Sequence, residues 1–251
     1  MPLRTHAVIS FETRCKMEQL NYTLEDQQRL AAARNYFAWQ ARLVTRELGQ
    51  RVLEVGCGMG NFTGLLLDRE AVLAVDIDTE CLLRLHSRYP DKPNLHVFSN
   101  NVADSGFTDL VRYQPDSCVC LNVLEHIEDD EAALRHMAAS IKPGGAIVLL
   151  VPAFPSLYGP IDRNLRHYRR YTRSSLRKLA RVVGLQVGKL HYVNFIGFFG
   201  WWLNSHIFRR EAQSQRQIAF FDRWIVPVQS HLENLIPPPF GQSLLAVLKC
   251  P

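Results

Sequence analysis

Apolar runs of strand length alternate with segments of helical periodicity along most of the chain. Five such runs lie at residues 51–55, 72–75, 95–98, 117–121 and 146–151, and their apolar residues are continuous rather than alternating. Continuous apolarity is typical of strands that are buried on both faces, as in a parallel sheet with helices on each side. The pattern therefore predicts an α/β fold.

The two ends of the chain add elements outside this alternation. Over residues 25–48 apolar residues recur every three or four positions, which predicts one N-terminal helix that stops at Gly49. A further helix is expected from about residue 172 to 183. Beyond it, two strand-like stretches at 185–193 and 244–248 could pair as neighbours.

An aromatic segment, FIGFFGWWLNSHIF at 195–208, precedes the last strand. It is too short, and too polar near its end, to span a bilayer. Three interpretations stay open: a lid over an apolar acceptor, an interfacial helix aided by Arg209 and Arg210, and buried core or dimer contact. The predicted organisation is a helical cap at 1–49 and one domain at 50–251, in which residues 195–240 form an aromatic insertion or lid.

Composition narrows the class of protein, and charge is concentrated in one segment. Hydrophobic residues make up 47% and charged residues 21% of the 251, which excludes disordered, collagen-like and coiled-coil proteins. The formal net charge is +5, yet residues 163–181 alone carry seven arginines, one lysine and no acid. Such a stripe can attract nucleic acid, anionic lipid or a phosphate-bearing substrate, or it can be a solvated helix face.

The N-terminal residues and the cysteine spacing predict an intracellular protein whose cysteines are reduced. No eighteen consecutive residues are apolar, and Arg4, His6 and Glu12 stand where a signal peptide would be apolar. We therefore expect a cytoplasmic protein, with peripheral membrane contact through residues 195–210 as an option. The six cysteines show no C-x-x-C spacing, so neither a zinc site nor a disulfide framework is predicted.

A glycine-rich loop follows the first strand. Residues 52–63 read VLEVGCGMGNFT, so a strand enters a loop containing Gly56, Gly58 and Gly60, and a helix is expected after it. The second strand ends at Asp76, twenty residues after Gly56, where a carboxylate can accept hydrogen bonds from both hydroxyls of a ribose. The arrangement predicts a cofactor that contains a nucleoside.

The spacing of the glycines indicates which kind of nucleoside-containing cofactor the loop binds. A dinucleotide fingerprint requires G-x-G-x-x-G, whereas Asn61 stands here in place of the third glycine. Glu54, two residues before the first glycine, places an anion close to the loop and suits a cationic ligand better than a pyrophosphate. An NAD-dependent oxidoreductase is therefore disfavoured.

Five segments in order resemble the motifs of class I S-adenosylmethionine-dependent methyltransferases. These are VLEVGCGMG at 52–60, AVDID at 74–78, NNVAD at 100–104, SCVCLNVLEHI at 117–127 and KPGG at 142–145, and the resemblance covers about residues 30–190. It implies a Rossmann-like, mostly parallel seven-stranded sheet of order 3-2-1-4-5-7-6, with helices on both faces and an N-terminal helical cap. The last strand would then be antiparallel and lie between the fifth and sixth.

The resemblance also implies S-adenosylmethionine as cofactor and positions for its parts. The glycine loop would face the methionine part, Asp76 the ribose, Ile77 and the turn after the third strand the adenine, and Asn122 the region near the sulfur. The cofactor-binding residues so assigned are Glu54, Gly56, Cys57, Gly58, Gly60, Asp76, Ile77, Asn101, Val102 and Asn122.

Methyl transfer to a hydroxyl requires removal of its proton, and two histidines are candidates for the catalytic base. His126 follows the fourth strand, and His167 lies in the loop before the helix at 172–183. In ubiquinone-type O-methyltransferases a similar E-x-x-E-H contributes metal ligands, but Asn122 replaces the first acid here. An amide is a poorer ligand than a carboxylate, so no metal is predicted, and Glu125 with His126 is expected to fix the loop.

The segment LRHYRRYT at 165–172 borders the acceptor pocket in similar enzymes. One interpretation is that His167, Tyr168 and Tyr171 line the pocket. An anionic group of the acceptor would then be held by Arg166, Arg169 or Arg170. The alternative is a surface linker. On the N-terminal helix, Tyr36 and Trp39 are expected either to cover the cofactor and substrate or to pack in the core.

These features together predict a methyltransferase acting on a small-molecule or lipid-like acceptor, with oxygen favoured over nitrogen and carbon. The lipid-like option follows a resemblance of residues from LRHYRRYT to PPPFGQSLLAV to bacterial methyltransferases associated with polyprenyl-phosphate glycosyltransferases. Two alternatives remain: an RNA methyltransferase that uses the basic segment, disfavoured because no RNA-binding module is appended, and a non-catalytic regulatory protein that binds the cofactor.

Overall fold

The computed structural model describes residues 24–251, and its centre is a seven-stranded sheet. The strands are β1 (Arg51–Val55), β2 (Ala71–Asp76), β3 (Leu95–Ser99), β4 (Ser117–Leu121), β5 (Ala146–Pro152), β6 (Gln186–Val193) and β7 (Ser243–Lys249). Their order is β3-β2-β1-β4-β5-β7-β6. The pairs from β3 through β5 are parallel, and β7 is antiparallel to both of its neighbours. The predicted class, sheet order and pairing of the last two strands are confirmed.

The helices lie in the connections between these strands. They are α1 (Leu24–Leu30), α2 (Arg34–Val44), α3 (Thr79–Arg88), α4 (Asp130–Ala139), α5 (Pro160–Asn164), α6 (Arg173–Val183), α7 (Phe195–Trp202), α8 (Gln215–Phe220) and α9 (Val226–Leu235). A π turn at Leu203–Ile207 continues α7, and another at Phe221–Ile225 joins α8 to α9. None of the helices in the described part of the chain combines the length and apolarity needed to cross a bilayer.

Successive residues of each strand point to opposite sides of the sheet and build two apolar clusters. Leu53 of β1 and Leu73 of β2 belong to one cluster, while Val52 and Val72 belong to the other. Trp39 of α2 is buried in the second cluster. Because both faces of the strands are covered, their runs are continuously apolar, as the sequence pattern indicates.

The helix predicted over residues 25–48 is two helices in the structure. A turn at residues 31–33 separates α1 from α2. The new helix begins where the carboxylate of Asp222, far along the chain, accepts hydrogen bonds from the backbone N–H of Asn35 at 3.4 Å and of Tyr36 at 2.8 Å. A carboxylate at this position satisfies first-turn amides and favours a helix start, and periodicity alone does not reveal a cap supplied from elsewhere.

The helix expected after the glycine loop is a single 3-10 turn, Thr63–Leu65. Only residues 61–70 lie between the loop and β2, so the connection is short. By contrast, α6 matches its prediction closely, because the Thr172 side chain accepts from the N–H of Ser175 and Gly184 closes the helix at φ +83°.

Sheet order decides where a ligand can bind. The chain moves outward from β1 to β2 and β3, then returns across to β4 on the other side of β1. In open α/β sheets, the crevice at such a reversal lies outside the carboxyl ends of the strands. The glycine loop after β1 and the loop containing Asn122 after β4 meet there.

Candidate active site

The glycine loop adopts backbone angles that favour glycine. Gly56, Gly58 and Gly60 have φ values of +75°, +53° and +81°. A Cβ on Gly56 would lie 2.2 Å from Cγ2 of Val123. The first glycine therefore allows the loops after β1 and β4 to approach each other closely, which explains its position in the motif.

Asp76, at the end of β2, supports this loop through its side chain. Oδ2 accepts a hydrogen bond from the N–H of Gly58 at 2.7 Å, and Oδ1 accepts from the N–H of Asp78 at 2.9 Å. Burial raises the pKa of Asp76 above its ordinary value. Each oxygen keeps a second acceptor position, so the geometry is compatible with the predicted ribose contact.

The residues predicted to contact the adenine lie beside Asp76. The backbone N–H of Asn100 donates to the Asp76 carbonyl at 3.1 Å, which brings the turn containing Asn101 and Val102 next to it. The Ile77 side chain is 54% exposed and so is available to lie on a planar ring. Val102 is buried in the core, so its backbone rather than its side chain faces this region.

Glu54 is a buried carboxylate with an unused acceptor. It lies on β1 two residues before Gly56, and its Oε2 accepts no hydrogen bond from any residue that the structure describes. Burial raises the pKa of Glu54 to about 8, and the charge of Asp76 adds to this. A cationic ligand would supply the missing donor and stabilise the ionised form. The site therefore fits a cofactor that carries an ammonium and a sulfonium group.

Gln27 of α1 lies directly on the glycine loop and was not anticipated from the sequence. Its Oε1 accepts from the N–H of Met59 at 2.8 Å, and Asn61 Nδ2 donates to its backbone carbonyl at 3.0 Å. A Cβ on Gly58 would lie 2.0 Å from the same Oε1. No local pattern marks Gln27, because its role depends on a loop some thirty residues away.

A cavity of about 640 Å³ opens from the glycine loop across the carboxyl ends of β1, β4 and β5. Gly56, Cys57, Gly58, Glu54 and Asn122 line the part next to the loop. Asn122 has φ +54°, a left-handed conformation that asparagine tolerates better than most residues. Apolar side chains from α7 and α8 line the far part, with Tyr36 of α2 among the shared walls.

Asp162 and His167 form a buried pair in the wall of this cavity. His167 lines the cavity, and its Nδ1 donates to Oδ1 of Asp162 at 2.9 Å. Asp162 also accepts from Arg170 Nε at 2.7 Å and from Trp201 Nε1 at 3.3 Å. Although burial alone raises the pKa of Asp162, the His167 hydrogen bond and the Arg170 charge hold that pKa below its ordinary value. The ionised carboxylate fixes the imidazole with Nε2 as its basic nitrogen.

Glu125 and His126 join this pair. The rings of His126 and His167 meet edge to face, with centroids 4.6 Å apart. Burial raises the pKa of Glu125 to about 7, while burial and the neighbouring His167 lower that of His126 to about 3, so His126 is neutral. Ligand atoms of Glu125, His126 and His167 lie within 4.8 Å of one another. The cluster brings both predicted catalytic histidines together, and the expectation that it holds no metal stays a prediction.

Three residues assigned to the acceptor lie outside the cavity lining of the described chain. Tyr171 is buried, and its hydroxyl donates to Asp130 Oδ2 at 2.8 Å. Tyr168 is 50% exposed, and Arg166 is exposed on the same loop. The placement gives Tyr171 a structural role and leaves Tyr168 and Arg166 without contact to the cavity.

The basic segment at 163–181 is partly used inside the protein. Arg170 is buried against Asp162, Arg169 pairs with Asp130 at 2.8 Å, and Arg173 lies over the ring of Tyr192. The other five basic residues of the segment, Arg163, Arg166, Arg177, Lys178 and Arg181, are exposed. The segment is thus a mixture of structural ion pairs and a solvated helix face.

The sheet, the glycine loop and the acids at 54 and 76 define a class I S-adenosylmethionine-dependent methyltransferase, with S-adenosylmethionine as cofactor. The chain belongs to the family described as methyltransferase domain, whose model matches residues 22–190. The predicted class, cofactor and enzyme type are confirmed.

Curated relatives match a little under half of this chain. An uncharacterized methyltransferase of Mycobacterium tuberculosis is 33% identical over 113 residues, 43% of this chain and 53% of the relative. A ubiquinone biosynthesis O-methyltransferase of Neisseria meningitidis is 32% identical over 128 residues, 48% of this chain and 48% of the relative. The chain spans about half the length of the curated relatives it matches.

Solved structures share the fold over almost the whole chain. An S-adenosylmethionine-dependent methyltransferase of Thermotoga maritima has a TM-score of 0.63 at 14% identity, covering 93% of this chain and 99% of its own. Magnesium protoporphyrin IX methyltransferase of Synechocystis, solved with the cofactor bound, has a TM-score of 0.57 at 13% identity and covers 98% of this chain and 100% of its own.

Proposed function

We propose that this methyltransferase transfers the methyl group to a hydroxyl oxygen of a small-molecule or lipid-like acceptor, with His167 as the general base. The observation that carries the proposal is the buried hydrogen bond between His167 Nδ1 and Asp162 Oδ1, in the wall of the cavity that begins at the glycine loop. A base is needed for a hydroxyl acceptor, whose proton must leave as the new bond forms.

The division of labour among the residues follows from their contacts. S-adenosylmethionine, when bound, supplies an electrophilic methyl on a positively charged sulfur. Glu54 would hold positive charge of the cofactor, and Asp76 would hold its ribose. Asp162 orients His167 and stabilises the imidazolium that forms when Nε2 takes the acceptor proton. Positioning of the acceptor and exclusion of water would supply most of the remaining acceleration.

The lining of the cavity supports an acceptor with an apolar body. Ile196, Phe199 and Leu203 of the α7 segment and Ile218 and Phe221 of the α8 segment line the part away from the glycine loop. Pockets of this composition select apolar bodies and leave orientation to a few polar groups. The similarity to a ubiquinone biosynthesis O-methyltransferase supports oxygen as the acceptor atom.

The proposal is tested with methyl-labelled S-adenosylmethionine and a bacterial extract, with label counted in organic, aqueous and acid-insoluble fractions. Label in the organic fraction that survives mild base supports an ether on a lipid-like acceptor. Acid-insoluble label that is sensitive to ribonuclease would instead support the RNA alternative. Cofactor binding with no label in any fraction would support the regulatory alternative.

Variants then test the role of His167 on the labelled acceptor. His167→Asn is expected to lower kcat by ~100-fold with cofactor affinity unchanged, because loss of a general base acts on the proton-transfer step. Asp162→Asn should lower kcat in the same direction, since an amide no longer stabilises the imidazolium. His191→Asn is the matched control, because His191 lies on β6 away from the cavity. Equal turnover of His167→Asn and His191→Asn would remove the base from the mechanism.

A further inference from the structure

The helical run from α8 to α9 carries apolar side chains on its exposed face. Phe220, Trp224, Val228, Leu232 and Leu235 are separated by four, four, four and three residues and are each 58–69% exposed. Residues at these separations lie on one side of a helix. The described part of the chain therefore presents a continuous apolar row, which we call the outer stripe.

The opposite side of the same run faces the inside of the molecule and mixes apolar and polar residues, since Val226 is buried in the core beside buried Asp222. Asp222 accepts from the N–H of Tyr36 at the start of α2, and Glu233 accepts from the N–H groups of Asn194 and Phe195 at 2.9 and 2.8 Å, at the start of α7. These carboxylates satisfy amides that begin helices and would otherwise lack partners. Core packing and internal hydrogen bonds thus fix the inner side of the run, and the outer stripe is left facing outward.

The outer stripe borders the mouth of the cavity. Phe199, Leu203 and Phe220 line the cavity and are also 45%, 41% and 61% exposed. Ile207 and Phe208, just after α7, are both more than half exposed. Exposed apolar groups from α7 and α8 therefore reach the cavity, and an apolar surface that continues from a cavity along a helical run marks an interaction site.

The charges on this face are mainly arginines. Arg209, Arg210, Arg216 and Arg223 are exposed, and Glu211 is the one exposed acid between α7 and the end of α9. Such an excess of positive charge around apolar side chains is complementary to a surface that is negative at its rim and apolar beneath.

Two of these arginines lie against exposed aromatic rings. The Arg210 guanidinium is 5.3 Å from the centroid of Phe208, and that of Arg223 is 5.1 Å from the centroid of Trp224. In such a pair the ring can enter the acyl-chain boundary while the guanidinium stays at the level of the head groups.

We propose that the outer stripe and the cavity mouth dock onto the surface of an anionic lipid bilayer. The run would lie in the plane of the interface, since no described helix could cross it. A second copy of the chain is a poorer occupant, because two-fold pairing of this face would bring its arginines together with few acids to meet them. Docking onto the bilayer does not require methyl transfer. The further consequence that the acceptor enters the cavity from the lipid rests on the proposed function.

The test is sedimentation of the full chain with vesicles of phosphatidylcholine alone and of phosphatidylcholine mixed with phosphatidylglycerol. Binding to the mixed vesicles is expected, and it should weaken as salt is raised. Trp224→Gln should reduce the partition coefficient by ~10-fold, since it removes a large apolar side chain from the interface. The double variant Arg209→Gln/Arg210→Gln should reduce it by at least ~10-fold on the mixed vesicles only.

Leu83→Gln is the matched control, because Leu83 is an equally exposed apolar residue, 68% exposed, on α3. It should bind vesicles as the unchanged protein does. Absence of vesicle binding, an equal loss in Leu83→Gln, or a dimer that Trp224→Gln dissociates would each overturn the proposal. S-adenosylmethionine binding, measured on the same samples, separates a failure of docking from a failure of the proposed function.

Discussion

Replacement of Glu54 by Gln tests whether the buried Glu54 carboxyl is protonated, and so uncharged, in the folded protein without cofactor. The pKa of Glu54 is raised by burial from 4.5 to about 8, so between these values the folded protein holds a proton that the unfolded chain releases. Stability from this group is therefore fully present below about pH 4.5 and is lost as the pH rises through about 8.

The magnitude follows from the two pKa values. At ~1.4 kcal/mol for each tenfold change, the difference amounts to ~5 kcal/mol over the full range, of which ~2 kcal/mol is lost between about pH 6 and about pH 8. Gln cannot titrate, so the free energy of unfolding of Glu54→Gln minus that of the unchanged protein should rise by ~2 kcal/mol between about pH 6 and about pH 8. In a chain of this length the corresponding change in the difference of Tm is ~4–8 °C.

Urea unfolding of both proteins across this pH range measures the difference directly, and titration of other groups cancels in it. Glu80→Gln is the control, since Glu80 lies exposed on α3 and pairs with Arg84. Its difference from the unchanged protein should not vary with pH. A Glu54→Gln difference that stays constant from about pH 6 to about pH 8 would refute the reasoning, because Glu54 would then be ionised in the folded protein. The increase in the free energy of unfolding on S-adenosylmethionine binding should also be smaller in Glu54→Gln, since a cationic ligand interacts favourably with the ionised carboxylate.

Three further predictions concern the same site. Asp76→Ala should weaken S-adenosylmethionine binding by at least ~10-fold in calorimetry, because it removes two ribose acceptors and the support of the Gly58 N–H; unchanged affinity would contradict the cofactor assignment. Gly58→Ala should lower the free energy of unfolding by ~1–2 kcal/mol, since φ is +53° and the new Cβ would lie 2.0 Å from Gln27 Oε1; Gly58→Ala/Gln27→Ala should recover only part of this in urea unfolding. Dialysis against a chelator should leave turnover unchanged if His167 acts as a base, whereas a loss that Mg²⁺ or Zn²⁺ restores would make it a ligand.

The sheet could be predicted almost completely from the sequence, since it depends on local signals. Each buried strand is a short apolar run, and the motif order supplies the topology. The helix at 172–183 could also be predicted, because Thr172 and Gly184 mark its two ends within the segment itself. The break between α1 and α2 could not be predicted, because the residue that causes it, Asp222, lies almost two hundred residues away along the chain.

The site could be predicted only in part for the same reason. The glycine loop and Asp76 follow strands at fixed offsets, so spacing identifies them. Asp162 was missed although it is five residues from His167, because that separation places no two side chains on one face of a helix. The two meet only because the one-turn α5 ends at Asn164 and the chain turns back, so that the His167 N–H donates to the Asp162 carbonyl at 2.9 Å.

The outer stripe shows why an amphipathic pattern alone cannot tell which side of a helix is buried. The run from α8 to α9 carries apolar residues on two sides, since Val226 is buried in the core while the outer stripe is exposed, so periodicity alone does not decide which row turns inward. Here Asp222 and Glu233 are required inside as acceptors for the first amides of α2 and α7. Since a buried amide without a partner costs ~1–3 kcal/mol, these bonds oppose any rotation that would bury the stripe. The bonds from Asp222 also connect the start of α2 to the wall of the acceptor cavity. Because α1 directly precedes α2 and carries Gln27, this wall is connected to the glycine loop as well. The cofactor and acceptor ends of the site thus share one hydrogen-bonded support, whose outer surface is the face proposed to meet the membrane.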